Sequence, residues 1–95
     1  MPALMIVNLT FHSLDWAKDY LANVPDMVRA HGGEYVARSS AVERIEGEGG
    51  LPDQVVILSF PSLDAIRTFM AQPEYAPYRD ARIAATNSDI LAIAF

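Results

Sequence analysis

No cysteine occurs among the 95 residues. That absence excludes a disulfide scaffold, a thiolate nucleophile and any zinc or iron–sulfur centre built on cysteine. Positive charge is scarce as well: Lys and Arg total 7 against 12 Asp and Glu, for a formal net charge of −5. A polyanion is bound by clustered positive charge that displaces counterions, and no basic run exists, so nucleic acid is not expected as a partner. The two histidines, His12 and His31, stand at no metal-ligand spacing, so no metal is expected either. The apolar runs Ala3–Val7 and Ile90–Phe95 fall far short of the ~20 residues that cross a bilayer. The opening MPALMIVNLTF lacks the basic residues that precede a signal-peptide core. The expectation is a soluble cytoplasmic protein without membrane contact.

Also missing are a flavin, nicotinamide or haem signature and the Gly-x-Ser-x-Gly turn of a serine nucleophile. Any chemistry is therefore expected to be acid–base work without a cofactor. The chain is rich in apolar residues, at 52%, with only 20% charged. A single domain spanning 1–95 has much surface for its volume, so this surplus suggests that part of the surface is covered by a partner.

Ala3 to Phe11 is β-rich and free of Gly and Pro, the first strand. Ser13 and Asp15 then open a helix whose stripe reads Leu14, Ala17, Leu21, Val24 and Val28. Pro25 lies inside that stripe, where its missing N–H and its ring predict a kink or break. The helix ends at Ala30-His31. A second strand starts at Glu34-Tyr35, runs through Arg38 and is open to continuing as far as Ile45. Glycines and Pro52 make the following segment a loop. Gln54 to Phe60 is the third strand. Ser62 caps a helix that Gln72-Pro73 breaks; a further helical stretch covers Tyr75 to Ala85, and Asp89 to Phe95 is the last strand. The order β-α-β-β-α-β is that of an α+β, ferredoxin-like sandwich on an antiparallel sheet.

The strands carry a further message. A sheet with helices on one face and water on the other alternates apolar with polar residues. The third strand instead has Val55 and Ile57 on one face and Val56, Leu58 and Phe60 on the other. The last strand sets Ile90, Ala92 and Ala94 against Leu91, Ile93 and Phe95. Helices can cover only one face, so a second copy of the sheet is the simplest cover for the other, and a homodimer is expected.

His31-Gly32-Gly33, Tyr35 with Arg38, Glu46-Gly47, Phe60-Pro61-Ser62 and Pro73-Glu74-Tyr75 with Arg79 and Arg82 form a combination that spans nearly the whole chain. In these residues the sequence resembles domain-of-unknown-function family 1330 (DUF1330) of the dimeric α/β-barrel superfamily. The resemblance implies a ferredoxin-like protomer paired sheet to sheet, and no particular reaction.

The candidate site residues come from several segments. Gly32-Gly33 follow a helix rather than precede one, the wrong order for a phosphate loop; a glycine with φ > 0 after the helix accounts for them. Arg38, in a sheet with two apolar faces, requires either a carboxylate such as Glu43, Glu46 or Asp64, or a ligand anion. Alternation places it with Val36 and opposite Tyr35. At helical spacing Tyr75, Tyr78 or Arg79, and Arg82 share a face suited to an acidic or aromatic molecule. The alternative is a core Tyr75, with the arginines paired to Asp80 and Glu74. His12 is the candidate general base, histidine being the residue type most often used in that role, with Asn8 and Thr10 on its side of the first strand. Trp16 and Met27 read as packing residues. Asn8, His12, Arg38 and Tyr75 are thus expected around a pocket between sheet and helices that binds or transforms a small molecule; a non-catalytic dimeric metabolite-binding or regulatory module is the alternative.

Overall fold

A computed structural model describes residues 1–95. The elements run β1 (Ala3–Phe11), α1 (Ala17–Ala30), β2 (Glu34–Ser39), β3 (Gln54–Phe60), α2 (Leu63–Ala71), α3 (Ala76–Ala85) and β4 (Thr86–Ala94). The sheet order is β2-β3-β1-β4, and every neighbouring pair is antiparallel. This is the α+β, ferredoxin-like arrangement, with the second helical segment split in two. The split has a local cause: Gln72, which precedes Pro73, is extended at ψ 138° because the proline ring disfavours helical backbone before it.

Odd-numbered residues of β1 (Ala3, Met5, Val7, Leu9) face the helices. With Val56, Leu58 and Phe60 of β3, Val24 and Val28 of α1, and Ile66 and Phe69 of α2, they form one buried cluster. The even-numbered face has no helix over it. Register aligns Leu4 with Ile93, and Ile6 with both Ile57 and Leu91. Leu91, Ile93 and Phe95 are all at least half exposed, so an apolar band crosses the open face.

Three local departures from the sequence expectation have clear causes. The helix α1 passes through Pro25 without a break; the residue whose carbonyl loses its partner, Leu21, lies on the half-exposed side, within reach of water. The inward stripe of α1 is rotated from the expected one. Leu14 and Leu21 are 61% and 48% exposed, whereas Trp16, Tyr20, Val24 and Val28, four apart, pack into the core. The strand β4 starts at Thr86 rather than Asp89, because the polar Thr86-Asn87-Ser88 is held by pairing with Phe11, Thr10 and Leu9.

The helix-to-strand junction at His31-Gly32-Gly33 is a double backbone cap. The Gly33 N–H donates to the Val28 carbonyl at 2.9 Å and the Gly32 N–H to the Arg29 carbonyl at 3.0 Å. Gly32 takes φ +78°. His31 Nδ1 donates to the Met27 carbonyl at 3.0 Å, which ties the imidazole to the helix end.

Strand β2 stops at Ser39 and carries an irregularity. Tyr35 pairs with Leu58 and Ala37 with Ile57, which leaves Val36 as one extra residue in the strand. A bulge of this kind reverses the alternation beyond it. Tyr35 and Arg38, expected on opposite faces, therefore both lie on the helix-facing side.

Candidate functional site

Between the sheet and α1 the structure leaves a cavity of about 290 Å³. Its floor comes from Met5, Val7 and Leu9 of β1 with Val56 and Leu58 of β3, and Val24 and Val28 close it from the helix side. The lining residues that remain exposed, Leu14, Leu21 and Arg38, mark its rim.

One wall is a file of aromatic rings. Phe11 and Trp16 have centroids 6.3 Å apart, Trp16 and Tyr20 5.1 Å, Tyr20 and Tyr75 6.0 Å, and Tyr75 and Phe69 4.7 Å. The Trp16–Tyr20 contact is edge-to-face at 83°, the arrangement that the ring quadrupoles favour. The Trp16 indole N–H is already used, donating to the Ser13 carbonyl at 2.8 Å. Where Tyr20 meets Tyr75 the two phenol oxygens share a hydrogen bond of 2.7 Å. Burial, reinforced by the Tyr75 neighbour, holds the Tyr20 phenol well above the usual phenol range. Burial also raises Tyr35, partly opposed by the nearby Arg38 guanidinium.

Apart from these phenols, the polar members of the lining are Arg38, Gln54 and Arg82. The guanidinium of Arg38 sits 5.2 Å from the Tyr35 ring centroid, a cation–π contact. It pairs with no carboxylate; of its expected partners, Asp64 is bound to Arg67 at 2.6 Å. An internal ion pair for Arg38 is thus not what the fold builds: the bulge turns it to the cavity rim, where water reaches it. Arg82 is buried, 3% exposed, and its Nε has no hydrogen-bond partner.

Of the residues expected around a pocket, Arg38 and Tyr75 line the cavity and the others stand apart from it. Asn8 is on the open face of the sheet, its side chain donating to the Asp89 carbonyl at 3.4 Å; strand alternation sends it away from its neighbours Val7 and Leu9. His12 is exposed just beyond β1, its backbone N–H donating to the Ala85 carbonyl at 2.8 Å. Tyr78 packs against the core from outside the cavity. Arg79 is occupied structurally: Nη1 donates to the Met70 carbonyl at 3.1 Å and Nε lies 3.4 Å from Asp80.

Sequence alone points to none of Tyr20, Tyr35 and Gln54 as lining residues, and reads Trp16 as packing, yet all four line the cavity. The run Trp16, Tyr20, Val24, Val28 was the available signal, since a spacing of four places them along one side of a helix. No group of three or more His, Asp or Glu side chains is placed to hold a metal ion. No helix is long and apolar enough to cross a membrane.

Residues 2–94 match the model of a family described as a domain of unknown function, DUF1330. No curated protein matches the chain. Among solved structures, a protein of unknown function from Rhodopseudomonas palustris superposes with a TM-score of 0.82 at 18% identity, covering 97% of this chain and 80% of its own. A dimeric ferredoxin-like protein of unknown function from Jannaschia sp. CCS1 gives 0.74 at 10% identity, with all of both chains covered. SnoaB, a cofactor-independent oxygenase from Streptomyces nogalater, gives 0.69 at 20% identity, covering 99% of this chain and 92% of its own. At these identities the likeness is one of fold.

Proposed function

This chain belongs to the domain-of-unknown-function family DUF1330, and from that premise we propose that it is a homodimeric module that holds a small, largely apolar molecule between sheet and helices without a cofactor. The observation that carries the reading is the cavity itself. A pocket of about 290 Å³ with an apolar floor, an aromatic wall and a few convergent polar groups has the make-up of a small-molecule site. Tyr75 and Arg38 contact the ligand in this reading, joined by Tyr20 and Tyr35.

Binding is favoured over catalysis by what the lining contains. Neither histidine and no carboxylate lines the cavity, and its perturbed phenols are shifted away from neutrality. A general base is most effective when its pKa lies near the working pH, and these phenols do not offer that. The non-catalytic reading therefore stands ahead of an acid–base enzyme.

Dimerisation follows from the open face. Leu4, Ile6, Ile57, Leu91 and Ile93 present an apolar band that a monomer would leave in water. A second sheet laid on it buries that band and leaves the cavity, on the opposite side, accessible. The Jannaschia protein shares the fold and is dimeric, which supports a dimer here.

The test uses Trp16, the only tryptophan and part of the cavity wall. Small cyclic compounds that enter the cavity change its fluorescence and raise the melting temperature. Val24→Phe, which fills the cavity from the helix side, abolishes both effects. A binder whose effects survive Val24→Phe, or a broad panel with no binder, overturns the reading.

A further inference from the structure

Arg82 is the guanidinium that this fold buries without a counter-charge. Its relative exposure is 3%, its Nε has no hydrogen-bond partner, and none of the ion pairs includes it. The other arginines are provided for: Arg29 pairs with Asp26, Arg67 with Asp64, Arg79 with Asp80, Arg44 donates to the Gly49 carbonyl, and Arg38 lies in water over Tyr35. Arginine does not lose its proton in proteins, so a buried guanidinium cannot escape the desolvation penalty by becoming neutral. An anion has to meet it, and the fold supplies none. The nearby Tyr20 hydroxyl is neutral and already bonded to Tyr75.

Arg82 lines the cavity, which decides where the missing anion comes from. We propose that the ligand is a small cyclic monocarboxylic acid, bound with its carboxylate on Arg82 and its ring against the aromatic wall formed by Trp16, Tyr20 and Tyr75. This names the ligand class of the cavity and rests on the small-molecule reading above. A carboxylate matches the planar guanidinium fork, two parallel N–H···O bonds to one group. A phosphate is poorly served, because the buried part of the lining contains a single cation and no glycine loop at a helix N-terminus. The volume sets the size. A cavity of ~150 Å³ takes one benzene ring, and this one, at about 290 Å³, has room for a substituted or fused ring. A carboxylate on Arg82 turns an unpaired buried charge into a paired one, so acid and neutral isostere should differ strongly in affinity.

The experiment compares 2-naphthoate with its neutral isostere 2-naphthamide by calorimetry and by the NMR signals of the Trp16 indole N–H and the Arg82 Nε–H. The expected result is that naphthoate binds roughly tenfold tighter or better, with both resonances shifting, whereas naphthamide moves the Trp16 signal alone. Arg82→Met removes the preference, so that the two compounds bind alike; Arg82→Lys keeps part of it. Because the Arg82 resonance is read in the unaltered protein, the assignment remains testable if Arg82→Met does not fold. Equal binding of acid and amide overturns the carboxylate proposal and leaves the small-molecule cavity standing. A preference that disappears in Arg38→Met but persists in Arg82→Met moves the anion to the rim and overturns the assignment. Failure of both compounds to bind overturns the proposed ligand class, and the small-molecule reading falls with it only if the broader panel of cyclic compounds also yields no binder.

Discussion

The hydroxyls of Tyr20 and Tyr75 are hydrogen-bonded to each other at 2.7 Å, tying helix α1 to the segment that opens α3. Tyr75 is 1% exposed, so water cannot replace a lost partner. Tyr20→Phe strands the Tyr75 hydroxyl and is expected to cost about 1–3 kcal/mol in denaturant unfolding. The double variant Tyr20→Phe/Tyr75→Phe is expected to cost less than the sum of the two single changes, since it leaves neither phenol unsatisfied.

Alkaline titration gives a second expectation. The folded chain holds the Tyr20 proton more tightly than the unfolded chain does, and burial pushes Tyr35 the same way. A phenol whose folded pKa is raised contributes stability that is complete below the unfolded value near 10 and declines as pH rises past it. Unfolding free energy should therefore fall above about pH 10. Phenolate absorbance should show Tyr20 ionising only as the protein unfolds.

The two glycines after α1 are expected to fail differently on replacement by alanine. Gly32 has φ +78°, and a Cβ there would lie 2.8 Å from the Pro61 ring, so Gly32→Ala should cost about 1 kcal/mol or more through strain. Gly33 has an ordinary φ, but its Cβ would come within 2.7 Å of both Phe60 and Val28 in the core. Overpacking of this kind typically costs ~1–3 kcal/mol. Melting temperatures of the two variants, with naphthoate binding as a control for the site, check this.

Ile6 sits at the centre of the open sheet face, opposite Ile57 on one side and Leu91 on the other. The unaltered protein is expected to sediment as a dimer at micromolar concentration, and Ile6→Asp as a monomer or as aggregate, because the interface would bury an unpaired carboxylate. A stable, well-folded monomer of the unaltered chain refutes the sheet-to-sheet pairing.

Arg38 makes no ion pair and is solvent-exposed. Arg38→Met should change the unfolding free energy by no more than about 0.5 kcal/mol. A loss of several kcal/mol would mean that a buried carboxylate depends on it.

Much of the fold could be read from the chain. The strand pattern of Val55 to Phe60 announced a sheet apolar on both sides, and Ser62 accepts a hydrogen bond from the Ala65 N–H at 3.0 Å, as a helix cap should. The site was far less legible. Arg38 and Tyr75 line the cavity, whereas Asn8 and His12 lie apart from it; alternation along a strand says which residues share a face, not which face the helices cover. Arg82 was seen on the Tyr75 side of its helix, yet sequence gave no way to know that no carboxylate would reach it. That fact depends on contacts between α1, α3 and the sheet, which local periodicity does not encode. Leu14 and Leu21 misled because an apolar residue at a cavity rim looks the same in sequence as one in a core.

The extra residue Val36 in β2 gives this edge strand an outsized effect on recognition. If β2 paired without the bulge, with Val36 opposite Ile57 and Ala37 opposite Val56, Arg38 would fall opposite Val55 and move from the ligand side to the pairing side. Presence or absence of the bulge in a short edge strand is thus a route by which related chains can exchange ligand specificity for subunit specificity. A guanidinium at the rim selects what enters; the same group on the opposite face would select which copy can dock. The strand works as a two-position selector, set by its pairing register rather than by a substitution.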